Sequence, residues 1–222
     1  LPERVRPTEA IKTALAARDY LEVVTFSFVD RELEADFAGE ADPVALINPI
    51  ASQMGVMRSS LLGRLVECVR FNTARKQDRV RVFEIAACFG REEGGFRQAE
   101  RLAGMCCGAA RPEQWGEPSR AIDFFDVRAD VEATVARDDL SFEPAAHPAF
   151  HPGQCARIRA GGEAVGWIGA LHPAWLQKYE LPAATVGFEI DLQAIRGVAL
   201  PVFRALPRSQ FVRRDIAVVV DE

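Results

Sequence analysis

Hydrophobic and polar positions change period repeatedly along the chain, and each change marks an expected element. After Pro7, Ile11, Leu15 and Arg18 share a helical face, with Thr8 as the expected N-cap and Asp19-Tyr20 as the end. Leu21 to Phe28 (LEVVTFSF) is dense in β-branched and aromatic residues and reads as a buried strand. Asp30 is placed to cap a short helix through Phe37, and Val44 to Ile47 reads as a short strand. Leu61, Leu62, Leu65, Val66 and Val69 form the strongest helical stripe, with Ser59 or Ser60 as its cap. Arg79 to Phe89 (RVRVFEIAACF) alternates as a strand, with Phe83, Ile85, Ala87 and Phe89 on one face. Val80, Val82, Glu84, Ala86 and Cys88 fall on the other. Arg91 to Arg97 reads as a loop and Leu102 to Ala109 as a strand of small residues.

Asp123 is expected to cap a helix from Phe124 to Ala136, and Leu140 to Glu143 to form a short strand. Gly161-Gly162 predicts the turn of a hairpin formed by Gln154 to Ala160 and Glu163 to Ala170. His172-Pro173 opens a helix that ends before Pro182, Thr185 to Ile190 is a strand, and Asp191 caps a short helix. Val198 to Pro207 reads as extended, and Ile216 to Val220 as a last strand. Hairpins with helices between them predict an α+β fold with a mainly antiparallel sheet.

Composition changes this picture little. The 222 residues are 49% hydrophobic and 27% charged, enough for a sizeable core. No apolar run approaches the ~20 residues of a membrane helix. LPERVRPTEA has no leader pattern, and the chain starts without Met and stops within DIAVVVDE, so a piece of a longer protein is expected. Lys and Arg number 27 against 32 Asp and Glu, a net charge of -5, the wrong sign for a stand-alone nucleic-acid binder. Arg75, Lys76, Arg79 and Arg81 read as a solvated helix end and strand start. The five cysteines contain no C-x-x-C pair, so free, mostly buried thiols in a reducing compartment are expected. Cys106 and Cys107 should point to opposite faces of their strand.

Candidate chemistry is sparse. All three histidines precede proline (His147, His151 and His172), which favours structured loops with imidazoles bonded to backbone over a helical metal pair at 147 and 151. Phosphate-loop, dinucleotide and nucleophile-elbow motifs do not occur. Asp123, Asp126 and Asp130 read as helix-dipole partners exposed to solvent. Glu84 on an apolar strand face needs a partner if buried, and Arg58 ahead of a helix is a cation at its unfavourable end. Either the two pair across the sheet, or both are solvated at its end.

INPIASQMGVMRSSLLGRL, then RVRVFEIAACF, RLAGMCCG, DFFDVRADVEA, HPAFHPGQCARI and GWIGALHP, resemble in this order the central region of bacterial phenylalanyl-tRNA synthetase β subunits. The resemblance implies a class II aminoacyl-tRNA synthetase-like core over residues 1–206. It also implies a connector and the start of a truncated anticodon-binding domain over 207–222. It implies a non-catalytic module that buttresses the catalytic α subunit in an α2β2 assembly in the cytoplasm. ATP and magnesium would serve the holoenzyme, with no cofactor or metal in this stretch. Other domains would carry the tRNA, and no membrane is involved.

In class II sites one Arg on a strand-loop-strand element and another in a G-x-G-x-x-R-like segment hold the ATP phosphates. Here Cys88-Phe89-Gly90-Arg91 stands at the first place, with Arg91 as a possible remnant, and Val186 to Ile195 (VGFEIDLQAI) has no arginine at the second. The segment from Thr8 to Phe28 resembles the helix-strand element used for subunit contacts, although it lacks the proline usual in catalytic class II domains. Thr8, Ile11, Leu15, Tyr20, Leu21 and Val23 are therefore interface candidates, with plain core packing as the other reading. An active adenylate-forming fragment and a direct tRNA-binding module are the alternative functions.

Overall fold

The computed structural model describes residues 5–38, 42–197 and 212–219. Its centre is a seven-stranded sheet built from β1 (Leu21–Glu22), β4 (Val80–Glu92), β5 (Gly95–Cys107), β6 (Leu140–Pro144), β7 (Phe150–Ala160), β8 (Glu163–Leu171) and β9 (Thr185–Asp191), in the order β1-β4-β5-β9-β8-β7-β6. All neighbours run antiparallel except β1 and β4, which are parallel. β2 (Phe28–Val29) and β3 (Val56–Met57) pair separately.

Strand alternation divides the core in two. On one face Phe83, Leu102, Cys106, Phe188 and Ile190 pack with α1 (Thr8–Ala16), α4 (Phe124–Val135) and α6 (Leu192–Arg196). On the other, Val80, Val82, Ala103, Met105, Cys107 and Phe150 pack with α2 (Arg31–Ala38), α3 (Leu62–Thr73) and α5 (Pro173–Lys178). Cys106 and Cys107 do fall on opposite faces, and all five cysteines are free thiols. Both Gly161 and Gly162 have positive φ, 59° and 86°, the conformation that a two-residue hairpin turn demands. Asp123 caps α4 as expected, in a reciprocal box with Asp126.

Several expectations need correction. Leu21 to Phe28 is not a buried strand. Only Leu21–Glu22 joins the main sheet, at its edge, and the chain turns away after Val23 N–H donates to the Phe83 carbonyl at 2.9 Å, with Phe28 pairing apart from it with Met57. Leu21, Val24 and Phe26 are consequently 70%, 91% and 61% exposed. Thr8 is the first residue of α1 rather than its cap, because extended Pro7 occupies that place without a side-chain bond. Val44 to Ile47 makes only one bridge, Ala45 to Val56. Arg91 to Arg97 forms the end of the long β4–β5 hairpin, where Glu92 pairs with Gly95 and Gly94 takes a φ of 84°. Residues 216–219 form no strand, and Val198 to Pro207 lies outside the described residues.

Candidate functional site

Four consecutive residues, Arg58 to Leu61, gather carboxylates from three elements. Arg58 Nη1 lies 3.2 Å from Glu84 Oε1 of β4. Ser59 N–H donates to Glu34 Oε1 of α2 at 2.8 Å, and its hydroxyl donates to the same oxygen. Leu61 N–H and Ser60 Oγ donate to Glu189 Oε1 of β9 at 2.6 and 3.0 Å. Ser60 Oγ also accepts from Leu62 N–H at 3.1 Å, so the start of α3 is held by Ser60 and by a carboxylate from the sheet.

Arg58 and Glu84 are thus neither exposed nor unpaired. Arg58 Nε donates to the Ala87 carbonyl at 3.1 Å and Nη1 to Thr25 Oγ1 at 2.8 Å. Thr25 in turn donates to Glu84 from its amide at 3.0 Å and its hydroxyl at 2.8 Å. Each buried charge therefore has several hydrogen-bond partners, the condition under which such a pair is tolerable. The cation does not meet the helix dipole, because the guanidinium runs to β4.

A second cluster was not legible as such. Asp130, expected in solvent, is buried on α4, and Arg81, expected on a solvated patch, is buried beside it. Asp130 accepts from Arg81 at 2.9 Å, Arg18 at 3.0 Å and the Tyr20 hydroxyl at 3.0 Å, and Cys106 Sγ lies 2.9 Å from that hydroxyl. Burial holds the Tyr20 phenol well above its ordinary pKa. Asp126 stays near the surface, where hydrogen bonds from Arg120 lower its pKa.

On the α3 side of the sheet a cavity of about 200 Å³ is lined by residues including Arg101, Arg157, Trp167 and Glu189. Arg101 is bonded to Glu189, and the Arg157 guanidinium lies 4.1 Å from the Trp167 ring centroid. His147 packs tilted against Trp167, with ring centroids 4.9 Å apart, and its Nδ1 accepts from Ala149 N–H at 3.2 Å. His151 and His172 make the same bond two residues on, to Gly153 at 3.0 Å and Ala174 at 3.1 Å. Burial pushes His147 down to about 4, with Arg101 and Arg157 adding to the shift. Among the described residues, no three His, Cys, Asp or Glu side chains are grouped to hold a metal. Arg91 is at the hairpin end, 2.9 Å from Asp42.

The interface candidates separate. Ile11, Leu15 and Tyr20 belong to the chain's own core and offer a partner nothing, so core packing accounts for these three. Leu21 is exposed, and Val23 and Thr8 are partly so. Glu34 and Glu189 were not singled out from the sequence, and Asp130 was read only as a solvent-exposed helix-dipole partner. Glu189 carries the signal that marked Glu84, a carboxylate within an apolar strand (VGFEI), and Asp130 lies on the Val127, Val131 stripe of α4.

The model of the phenylalanyl tRNA synthetase beta chain CLM domain family matches residues 1–192. The chain is 52% identical to the phenylalanine–tRNA ligase beta subunit of Ralstonia nicotianae over 98% of its length, and 49% identical to that of Neisseria gonorrhoeae over 100%. It spans 28% of the length of each. Among solved structures, two of pyrrolysyl-tRNA synthetase from Desulfitobacterium hafniense superpose with TM-scores of 0.61 and 0.62 at 15% and 14% identity. These cover 85% of this chain and 64% and 66% of theirs, and they share its class II synthetase fold. The chain belongs to the family of phenylalanyl-tRNA synthetase beta chain CLM domains.

Proposed function

We propose that this chain is a non-catalytic core module of a phenylalanine–tRNA ligase beta subunit, supporting an α subunit that performs aminoacylation. The observation that carries this reading is the filling of the sheet face beneath α3. Leu61, Leu62, Leu65, Val66 and Val69 pack onto it, and Arg58 and Arg101 are engaged by Glu84 and Glu189 of the same chain. A triphosphate needs cations aimed at it, whereas these are committed to internal carboxylates.

The exposed run around Leu21, Val24 and Phe26 at the β1 edge is the surface offered to the α subunit, which assembles as α2β2 in the cytoplasm. ATP and magnesium act on the α subunit, and tRNA is held by other domains of the longer chain. Residues 207–222 connect the core over 1–206 to the next domain.

Phenylalanine-dependent ATP–pyrophosphate exchange by the assembled ligase tests this. With Arg91→Ala and Arg157→Ala the rate should stay within about two-fold of wild type, whereas loss of a catalytic donor costs on the order of a hundred-fold or more. A loss of that size with assembly intact would overturn the reading.

A further inference from the structure

The exposed apolar run at the β1 edge, Leu21 to Phe26, is braced at both ends by buried charge. Ahead of it, Asp130 on α4 accepts from Arg18 and from the Tyr20 hydroxyl, each at 3.0 Å. Arg81 donates to Asp130 at 2.9 Å and to the Arg18 carbonyl at 3.0 Å, so the backbone entering β1 is tied as well. At the far end, Thr25 donates to Glu84 from its amide and its hydroxyl, and the same hydroxyl accepts from Arg58. One step on, Arg58 N–H donates to the Ser27 carbonyl at 2.9 Å.

Little else holds the run. β1 pairs with β4 only at Leu21 with Val82 and Glu22 with Phe83. Leu21, Val24 and Phe26 stand in solvent, and side chains left in water contribute no burial energy that would fix the backbone. The extended course of these residues therefore depends on the bonds of Arg18, Tyr20 and Thr25 to the two buried carboxylates.

The opposite edge of the sheet is built differently. β6 ends in Pro144, which has no donor, and Glu143 on it pairs with Arg159 at 2.6 Å. Both features keep an edge from recruiting another chain. None of the strongly exposed large apolar side chains lies on β6, whereas the β1 edge and the residues after it carry three. The edge that is braced is the one left open.

We propose that Asp130 and Glu84 are positioning residues for subunit assembly, holding Leu21, Val24 and Phe26 outward in the arrangement that an apolar surface of the α subunit receives. This deepens, and rests on, the reading that the β1 edge meets the α subunit. Neither carboxylate touches the partner, since Asp130 is 6% and Glu84 2% exposed. The braces act before contact. They raise the fraction of β subunits ready to bind, and apparent affinity scales with that fraction. A lost brace therefore slows association, whereas a lost contact speeds dissociation.

The test is the pair of rate constants for full-length β binding the α subunit, measured by interferometry at physiological salt, with urea unfolding of each β variant alongside. Thr25→Val keeps the side-chain shape and removes the hydroxyl between Glu84 and Arg58. Asp130→Asn together with Arg81→Met removes the other brace and leaves no buried cation unpaired. Each should lower the association rate by about ten-fold and leave the dissociation rate within about two-fold, a size that residues outside a contact can exert. Arg18 is 37% exposed, so Arg18→Ala tests the first brace at little cost to folding and should slow association by about three-fold. Phe26→Ala, a contact change, should instead raise the dissociation rate by about ten-fold. Wild-type association rates for all three brace variants overturn the positioning role and leave the docking reading intact. Unchanged rates for Phe26→Ala, Val24→Ala and Leu21→Ala overturn docking at β1 and the proposal with it. No association of the wild-type subunits overturns the assembly reading as well.

Discussion

The Arg58 guanidinium and the Glu84 carboxylate form an ion pair closed to water, with side chains 2% and 3% exposed. Removing one member leaves the other charged and buried, which costs about 3–5 kcal/mol. Arg58→Met should therefore lower the stability of the β subunit by that amount in urea unfolding. Adding Glu84→Gln, which can still accept from Thr25, should recover more than about 1 kcal/mol of the loss through pairwise coupling. Strict additivity of the two changes would show that the pair is not the stabilising contact.

Asp130 on α4 is the hub joining the link between α1 and β1, through Arg18 and Tyr20, to β4, through Arg81. Asp130→Asn should cost about 3 kcal/mol, because Arg81 is buried and loses its only carboxylate partner among the described residues. Arg18 is more than a third exposed and can turn to water. Replacing Arg81 with Met should accordingly rescue Asp130→Asn, while replacing Arg18 should not. Equal rescue by both, in chemical denaturation, would contradict this division.

The legible parts of the fold were those that local chemistry decides. The Asp123 cap, the Gly161-Gly162 turn and the alternation that splits Cys106 from Cys107 depend on a few neighbouring residues. Leu21 to Phe28 misled because strand-forming residues do not reveal whether they lie at an edge, where Leu21 and Phe26 stay in solvent. In the candidate site, Arg58 and Glu84 stood out because each breaks a local rule. Asp130 did not, because it reads as one of a group with Asp123 and Asp126 at the acidic N-terminal half of a helix, and its partners Arg18, Tyr20 and Arg81 come from distant chain segments. Glu34 and Glu189 likewise acquire their role only when tertiary folding brings Ser59 to Leu61 to them.

Gly104 and Phe188 face each other on paired strands with no room between them. A Cβ at Gly104 would lie 2.4 Å from Phe188 Cε1 and 2.6 Å from Cζ. Gly104→Ala should destabilise by about 1–3 kcal/mol, as overpacking does. Phe188→Leu in the same chain should recover part of that loss. At Gly95, where nothing lies within 4 Å, alanine should be close to neutral. Thermal unfolding of the three variants decides the matter, and a neutral Gly104→Ala would mean that the ring can move aside.

His147 should make the fold sensitive to acid. Burial and the nearby Arg101 and Arg157 hold its native pKa at about 4, and its Nδ1 must stay unprotonated to accept from Ala149 N–H. An unfolded histidine takes up its proton near pH 6.5. Between those values the unfolded chain binds more protons than the native one, so stability falls as pH falls. The slope should approach about 1.4 kcal/mol per pH unit at most and flatten below pH ~4, where both states are protonated. Asparagine also accepts from the backbone two residues on and does not titrate in this range. In urea titrations from pH 7 to 4.5, His147→Asn should therefore lose less stability than the wild type. An identical acid limb in the two proteins would place the acid sensitivity in other groups.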